Sequence, residues 1–203
     1  MFFGKLNLLN ESIEDEYHIK LASHWSYLKI KYNLDSEYGL YPQFFKLRPD
    51  NFPTIRLSQF ANLIANNQNL FSQLIQANSY SQIKQLLKSE TSEYWKSHYN
   101  FSKTSKTKSK GLTNQFIDLI IINTVIPIKF CYAKHQGKLN IEELIYLLEK
   151  MLPEKNSILQ KFTEFDVKTK NAFQSQSLLE LKNEYCNKNK CLNCAVGLQL
   201  LKN

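Results

Sequence analysis

The stretch TNQFIDLIIINTVIPIKFCYAK, residues 113–134, decides the fold. It is apolar almost all round, which is the pattern of a helix buried centrally and not along one face. Pro127 within it lacks a backbone donor and crowds the preceding turn, so a kink is expected there. Around this segment only five glycines and five prolines punctuate 203 residues, and no alternating apolar and polar run is bounded by turn signals. The expectation is an all-α chain, a multi-helix bundle with a buried central helix and long irregular connections, forming a single domain over residues 1–203.

Working outward, residues 12–33 open with serine and acids and carry Tyr17, Leu21, Trp25, Leu28 and Tyr32 at spacings of three and four, an amphipathic helix. Glu14, Asp15 and Glu16 suit its N-terminal dipole. A long connection, LDSEYGLYPQFFKLRPDNFP, leads to a helix carrying Leu57, Phe60, Leu63 and Ile64, then shorter ones near 70–76, 80–87 and 92–99. Asn140 with Glu143 forms a capping pattern for a helix over 141–151, and Pro153 suits the first turn of the next. The last two helices are expected over 171–185 and 191–201. In the former, Gln174, Ser175, Gln176 and Ser177 either form a buried polar network or cap.

With 43% hydrophobic residues the chain has the apolar surface to fold. No apolar run reaches the ~18 residues that span a bilayer; the longest candidate is interrupted by Asp118, Asn123 and Pro127. No transmembrane helix and no membrane partner are therefore expected. The N-terminal MFFGKLNLLNESIEDEY lacks a basic leader and a small-residue cleavage site, which predicts a cytoplasmic protein with reduced thiols.

The formal net charge of +8 favours polyanions. Lys103, Lys106, Lys108 and Lys110 lie in SKTSKTKSKG, which has no apolar residue to hold it down. It reads either as a solvated, mobile loop or as an arm contacting phosphates of a nucleic acid.

The only two arginines, Arg48 and Arg56, stand within KLRPDNFPTIRL, residues 46–57, beside Pro49 and Pro53. The prolines push Arg48 and Phe52 toward extended geometry. Side chains must then satisfy the loop backbone, and a guanidinium fork does this better than an ammonium. Both arginines are expected to bond backbone carbonyls or a buried acid, Asp118 being the natural acid because it sits in an apolar helix. The other reading of the pair is a phosphate- or carboxylate-binding site.

RPDNFPTIRLSQFANLI, with Arg48, Pro49, Asn51, Phe52, Pro53 and Arg56, resembles the signature of an uncharacterised bacterial family, domain of unknown function 2851. The similarity extends to YWKSHYNF, to IINTVIPIKFCY and to SLLELKNEYCNKNKCLNCAVGLQLL. The resemblance implies that these blocks are the C-terminal helical half of a longer protein, whose N-terminal half is nuclease-like and has no counterpart here. A separately encoded N-terminal half is then the implied partner.

Cys186, Cys191 and Cys194 form C-x4-C-x2-C, a spacing that in a reducing compartment suits a metal. Cys191 and Cys194 would share a face in the first turn of a helix. Zinc or an iron–sulfur cluster would need a fourth ligand through the fold, Cys131 or His98. The other reading is buried thiols packing as small hydrophobes. A Cys131–His98 nucleophile–base pair would lack an acidic orienter and an oxyanion turn. No glycine-rich phosphate loop, His-Glu-x-x-His or paired-carboxylate pattern is present. The chain alone is therefore read as a non-catalytic helical module of unknown specific function, the alternative being a nucleic-acid-binding domain with a cysteine metal staple.

Overall fold

Residues 1–34 and 41–201 are described by the computed structural model. Residues 35–40, part of the expected connection, lie outside them. The chain divides into two compact units, Met1–Leu70 with Leu86–Thr113, and Phe71–Gln85 with Asn114–Asn203. Strand is confined, among the described residues, to one short antiparallel pair, β1 (His98–Asn100) and β2 (Lys103–Thr104). The all-α expectation holds.

The first unit contains α1 (Phe2–Lys5), α2 (Glu16–Lys31), α3 (Pro53–Asn66) and α6 (Glu93–Lys96). Helix α2 starts where an acid can cap it: Asp15 is extended and its side chain accepts from the His18 amide at 2.9 Å. The core of this unit is aromatic, with Phe3, Trp25 and Trp95 buried beside Leu9 and Ile55. Phe3 stacks on Trp95 at 5.4 Å and Trp95 meets Phe101 edge-on at 5.2 Å. Such ring pairs add to simple area burial. His18 joins this core at 2% exposure, whereas Tyr32, placed on the apolar stripe by its spacing, is exposed.

Arg48 and Phe52 are extended (φ −71°, ψ 145° and φ −60°, ψ 143°), as the prolines that follow them demand. Pro49–Asn51 makes a 3-10 turn between them, and Pro53 opens α3 at the position where its missing donor costs nothing.

In the second unit lie α4 (Leu70–Gln76) and α5 (Tyr80–Leu86), apart from Leu70 and Leu86, which belong to the first unit, and a helical run Asn114–His135. They are followed by α9 (Ile141–Glu149), α10 (Ser157–Glu164), α11 (Ala172–Glu180) and α12 (Ala195–Leu201). Helix α9 packs on the C-terminal part of the 114–135 run and on α11. Asn140, Asn156 and Asn171 cap α9, α10 and α11 with their side chains. Pro153 lies in the connection before Asn156 and does not open α10, which corrects the expectation for it.

The 114–135 run is α7 (Asn114–Ile120), a π-helical turn (Ile121–Val125) and α8 (Ile126–His135). Asp118, Asn123 and Pro127 do not keep it below spanning length, which corrects the expectation that no apolar stretch would reach it. At 22 residues it is long and apolar enough by composition to cross a membrane, criteria that a core helix of a water-soluble protein also meets. It is not buried all round. Ile117, Ile121, Val125 and Lys129 are buried, while Leu119, Ile128 and Tyr132 are 40–43% exposed. Those buried residues are spaced by four. In a regular helix of about 100° per residue each such step drifts by about 40°. The wider π turn takes back part of the drift and keeps the four on one face.

Candidate functional site

Three segments of the first unit are bonded into one body: the loop 48–56, the segment 94–101 and the lysine segment 103–110. Arg56, one turn into α3, donates Nη2 to Asn51 Oδ1 at 2.5 Å and Nη1 to Gln59 Oε1 at 2.9 Å. Gln59, 2% exposed, donates Nε2 to the Lys110 carbonyl at 2.8 Å. Thr54 Oγ1 donates to the Tyr99 carbonyl at 2.5 Å. The loop is therefore tied through side chains, with Asn51 and Gln59 among the partners of Arg56. Arg48 is exposed and its side chain makes no hydrogen bond among the described residues.

The lysine segment is held down, contrary to its reading as a solvated loop. Lys110 is 4% exposed; its Nζ donates to the Trp95 and His98 carbonyls at 2.6 and 2.8 Å and lies 3.7 Å from the Tyr99 ring centroid. Burial, helped by Lys108, pulls its pKa below the usual lysine value against the opposing pull of Asp50. Lys108 pairs with Asp50 at 2.8 Å, and the Tyr99 hydroxyl donates to the same carboxylate at 3.0 Å. The Lys108 hydrogen bond, with help from Tyr99, holds the Asp50 carboxyl below the usual aspartate range despite its desolvation. Lys110 is thus removed from the expected set of phosphate contacts, while Lys108, half exposed, is engaged by Asp50. Lys103 and Lys106 are exposed, and their side chains have no hydrogen bond or ion pair among the described residues.

A pocket of about 310 Å³ opens in this body, lined by Pro49, Phe52, Tyr99, Asn100 and Lys103 with Thr104 and Ser105. Its aromatic walls are fixed: Phe52 meets Phe44 edge-on at 5.3 Å and Tyr99 at 6.3 Å.

Nearby, Asp15 anchors the hairpin to α2. Its Oδ2 accepts from the Tyr94 hydroxyl at 2.6 Å and from the Ser102 amide at 3.0 Å. Desolvation opposes its ionisation, yet Tyr94 and the His18 and Ser102 amides, with a smaller electrostatic contribution from His98, hold its carboxyl below the usual range. Burial and the Asp15 carboxylate push the Tyr94 hydroxyl far up. Tyr94 stacks between Tyr17 at 4.1 Å and His98 at 4.0 Å, and His98 Nδ1 lies 2.8 Å from the Tyr94 carbonyl. That nitrogen must donate there, so His98 is a packed, bonded histidine.

In the second unit Asp118 accepts from the Tyr80 hydroxyl at 2.7 Å, which in turn accepts from Lys84 at 2.9 Å. The expected arginine partner is therefore a tyrosine. Lys129, 6% exposed, donates to the Leu74, Ile75 and Ala77 carbonyls at 3.2, 2.7 and 2.9 Å. It neutralises the free C-terminal carbonyls of α4. Burial lowers its pKa against a weaker pull from Glu143. The signal for it was the one used for Asp118, a lone charge in an apolar helix. Ser175 is fully buried, donating to the Ala172 carbonyl and accepting from the Glu154 amide, so the serine–glutamine stretch forms a polar network. A hollow of about 530 Å³ there is lined by Asp118, Leu119, Ile122 and Glu154 among others, but Tyr80 and Gln176 already engage its acids.

Cys186 ends a π-helical turn, Leu181–Cys186, and is exposed; Cys191 starts a 3-10 turn, Cys191–Asn193, and is exposed. Cys194 is extended (φ −100°, ψ 127°) and buried, so Cys191 and Cys194 do not share a helical face. Cys131 is exposed on α8 in the second unit, whereas His98 belongs to the first. Among the described residues no three His, Cys, Asp or Glu side chains are arranged to hold a metal ion.

The chain belongs to the family of proteins of unknown function DUF2851, which matches residues 1–157. No curated protein and no solved structure matches it.

Proposed function

We propose that this chain is a non-catalytic helical module that packs on and positions a partner polypeptide, a separately encoded nuclease-like half being the partner implied by the family resemblance. The observation that carries this reading is α12. None of its residues is buried, and Val196, Leu200 and Leu201 are exposed together with Leu192 just before it. Contiguous exposed apolar side chains of this kind mark interaction surfaces. Lys110, Lys129, Asp15 and Asp50, four of the ionisable groups with perturbed pKa, spend their hydrogen bonds inside the units, which supports a scaffold role over chemistry.

The test is co-expression with a nuclease-like polypeptide encoded beside this chain. A stable complex by size exclusion with light scattering, lost in a Val196→Glu/Leu200→Glu variant that keeps its helical circular dichroism, is the expected result. Separate elution of the two chains, or a complex indifferent to that variant, refutes the reading.

Nucleic-acid binding is the second reading, favoured by the unpaired Lys103 and Lys106 beside the hairpin pocket and by the net charge of +8. It is carried by the hairpin and draws nothing from the cysteines.

A further inference from the structure

We propose that the hairpin pocket of the first unit is a nucleotide site, taking a planar base against Phe52, Tyr99 and Pro49 with the adjoining phosphate on Lys103. The inference rests on the nucleic-acid reading and gives it a specific location.

The pocket is built before any ligand arrives. Tyr99 is held at three points, by its hydroxyl on Asp50, by its carbonyl under Thr54 Oγ1 and by the Lys110 ammonium 3.7 Å from its ring. Phe52 is wedged between Phe44 and Tyr99 and is fixed at its backbone by Pro53. Rigid flat walls cost little entropy on binding and accept any base, because every base has a π face. The volume of about 310 Å³ lies at the small end of ligand clefts, fitting one nucleotide unit and not an extended cofactor.

The charges of the lining specify the rest of the ligand. Lys108 is consumed by Asp50 and Lys110 by two carbonyls, so Lys103 is the cation of the lining left to meet an anion. Asn100 and Thr104, also in the lining, have side chains without a hydrogen-bond partner among the described residues. A carboxamide and a hydroxyl at the rim can meet the donors and acceptors of a base edge or sugar. Aromatic walls, one free ammonium and two free polar groups describe a base joined to a phosphate. Lys106, three residues after Lys103, extends the positive rim along a bound strand.

The same chemistry can come from a free nucleotide or from single-stranded nucleic acid. The experiment measures, by fluorescence anisotropy at low salt, binding of the full chain to a labelled 15-nucleotide single strand. Competition by unlabelled strand, by AMP and dTMP, and by inorganic polyphosphate follows. The expected result is strand binding that polyphosphate displaces poorly, with displacement by mononucleotide assigning the free nucleotide as ligand and its failure assigning the strand. Lys103→Ala should reduce the slope of log affinity against log salt by about 0.7, one phosphate contact on a single strand. Phe52→Leu, checked for an unchanged circular dichroism spectrum, and Asn100→Ala should weaken binding, the former by roughly tenfold as expected for one lost stacked base. If polyphosphate competes as well as the strand, and Phe52→Leu and Asn100→Ala bind like the parent, the pocket proposal is overturned while electrostatic binding through lysines stands. If no strand binds at low salt, both fall.

Discussion

Replacing Lys110 by methionine tests whether a buried ammonium is what fastens the lysine segment to the first unit. Methionine keeps most of the stem but leaves the Trp95 and His98 carbonyls, now bonded at 2.6 and 2.8 Å, without a donor. Each stranded carbonyl costs about 1–3 kcal/mol, and relief of the buried charge returns part of that, so a net loss of about 2–4 kcal/mol is expected. Both tryptophans, Trp25 and Trp95, belong to the first unit, so tryptophan fluorescence during urea unfolding follows this unit. With an m value of about 2 kcal/mol/M the midpoint should fall by about 1–2 M. Lys110→Gln, whose amide can still donate to one carbonyl, should land between the two. A methionine variant with its midpoint within ~0.2 M of the parent would show that the carbonyls are satisfied some other way and refute the account.

Gly4→Ala should destabilise the same unit by about 1–3 kcal/mol, because a methyl there would overlap the Trp25 ring, and its urea midpoint should fall accordingly. Arg56→Lys retains the charge but cannot serve Asn51 and Gln59 with one fork, so thermal melting should show a loss of about 1–2 kcal/mol. Asp15 and Asp50 have folded pKa values below the unfolded value of about 3.9. Their stabilisation is complete above that pH and is lost as pH falls through the folded values, so in acid titrations Asp15→Asn should lower neutral stability and flatten the decline below about pH 4. The double variant Cys186→Ser/Cys191→Ser, both sites being exposed, should melt like the parent; a large drop accompanied by loss of zinc or iron on elemental analysis would restore the metal-staple reading.

What the sequence made legible was local. The residue before each proline of the 48–53 loop is extended, Asn140 and Asn171 cap where their spacing places them, and Asp15 acts at the α2 N-terminus, because each effect is decided within four residues. The partners of Lys110 and Lys129 were opaque for the opposite reason. A lysine defaults to water, and the carbonyls that capture these two lie 12–15 and 52–55 residues away. Asp118 was correctly seen to need a partner, but a short-range argument could not choose Tyr80 over an arginine. The cysteine spacing presupposed a regular helix at 191–194, and the 3-10 turn followed by an extended Cys194 undoes that geometry. The pocket draws on segments some 50 residues apart, so only its individual walls could be read.

The π turn at Ile121–Val125 makes the 114–135 helix sensitive to length more than to composition. Conservative apolar exchanges there should be absorbed. The wide turn carries about one residue more than an α turn and can lose one with little rotation, but removal of a residue from the regular turn between it and Lys129 would swing everything after it by about 100°. The Lys129 ammonium would then leave the end of α4, and the outward apolar residues of α8 would turn toward where it had been. For this stretch, the inherited quantity is a count of residues, and a single-codon deletion outside the wide turn is the mutation it tolerates least.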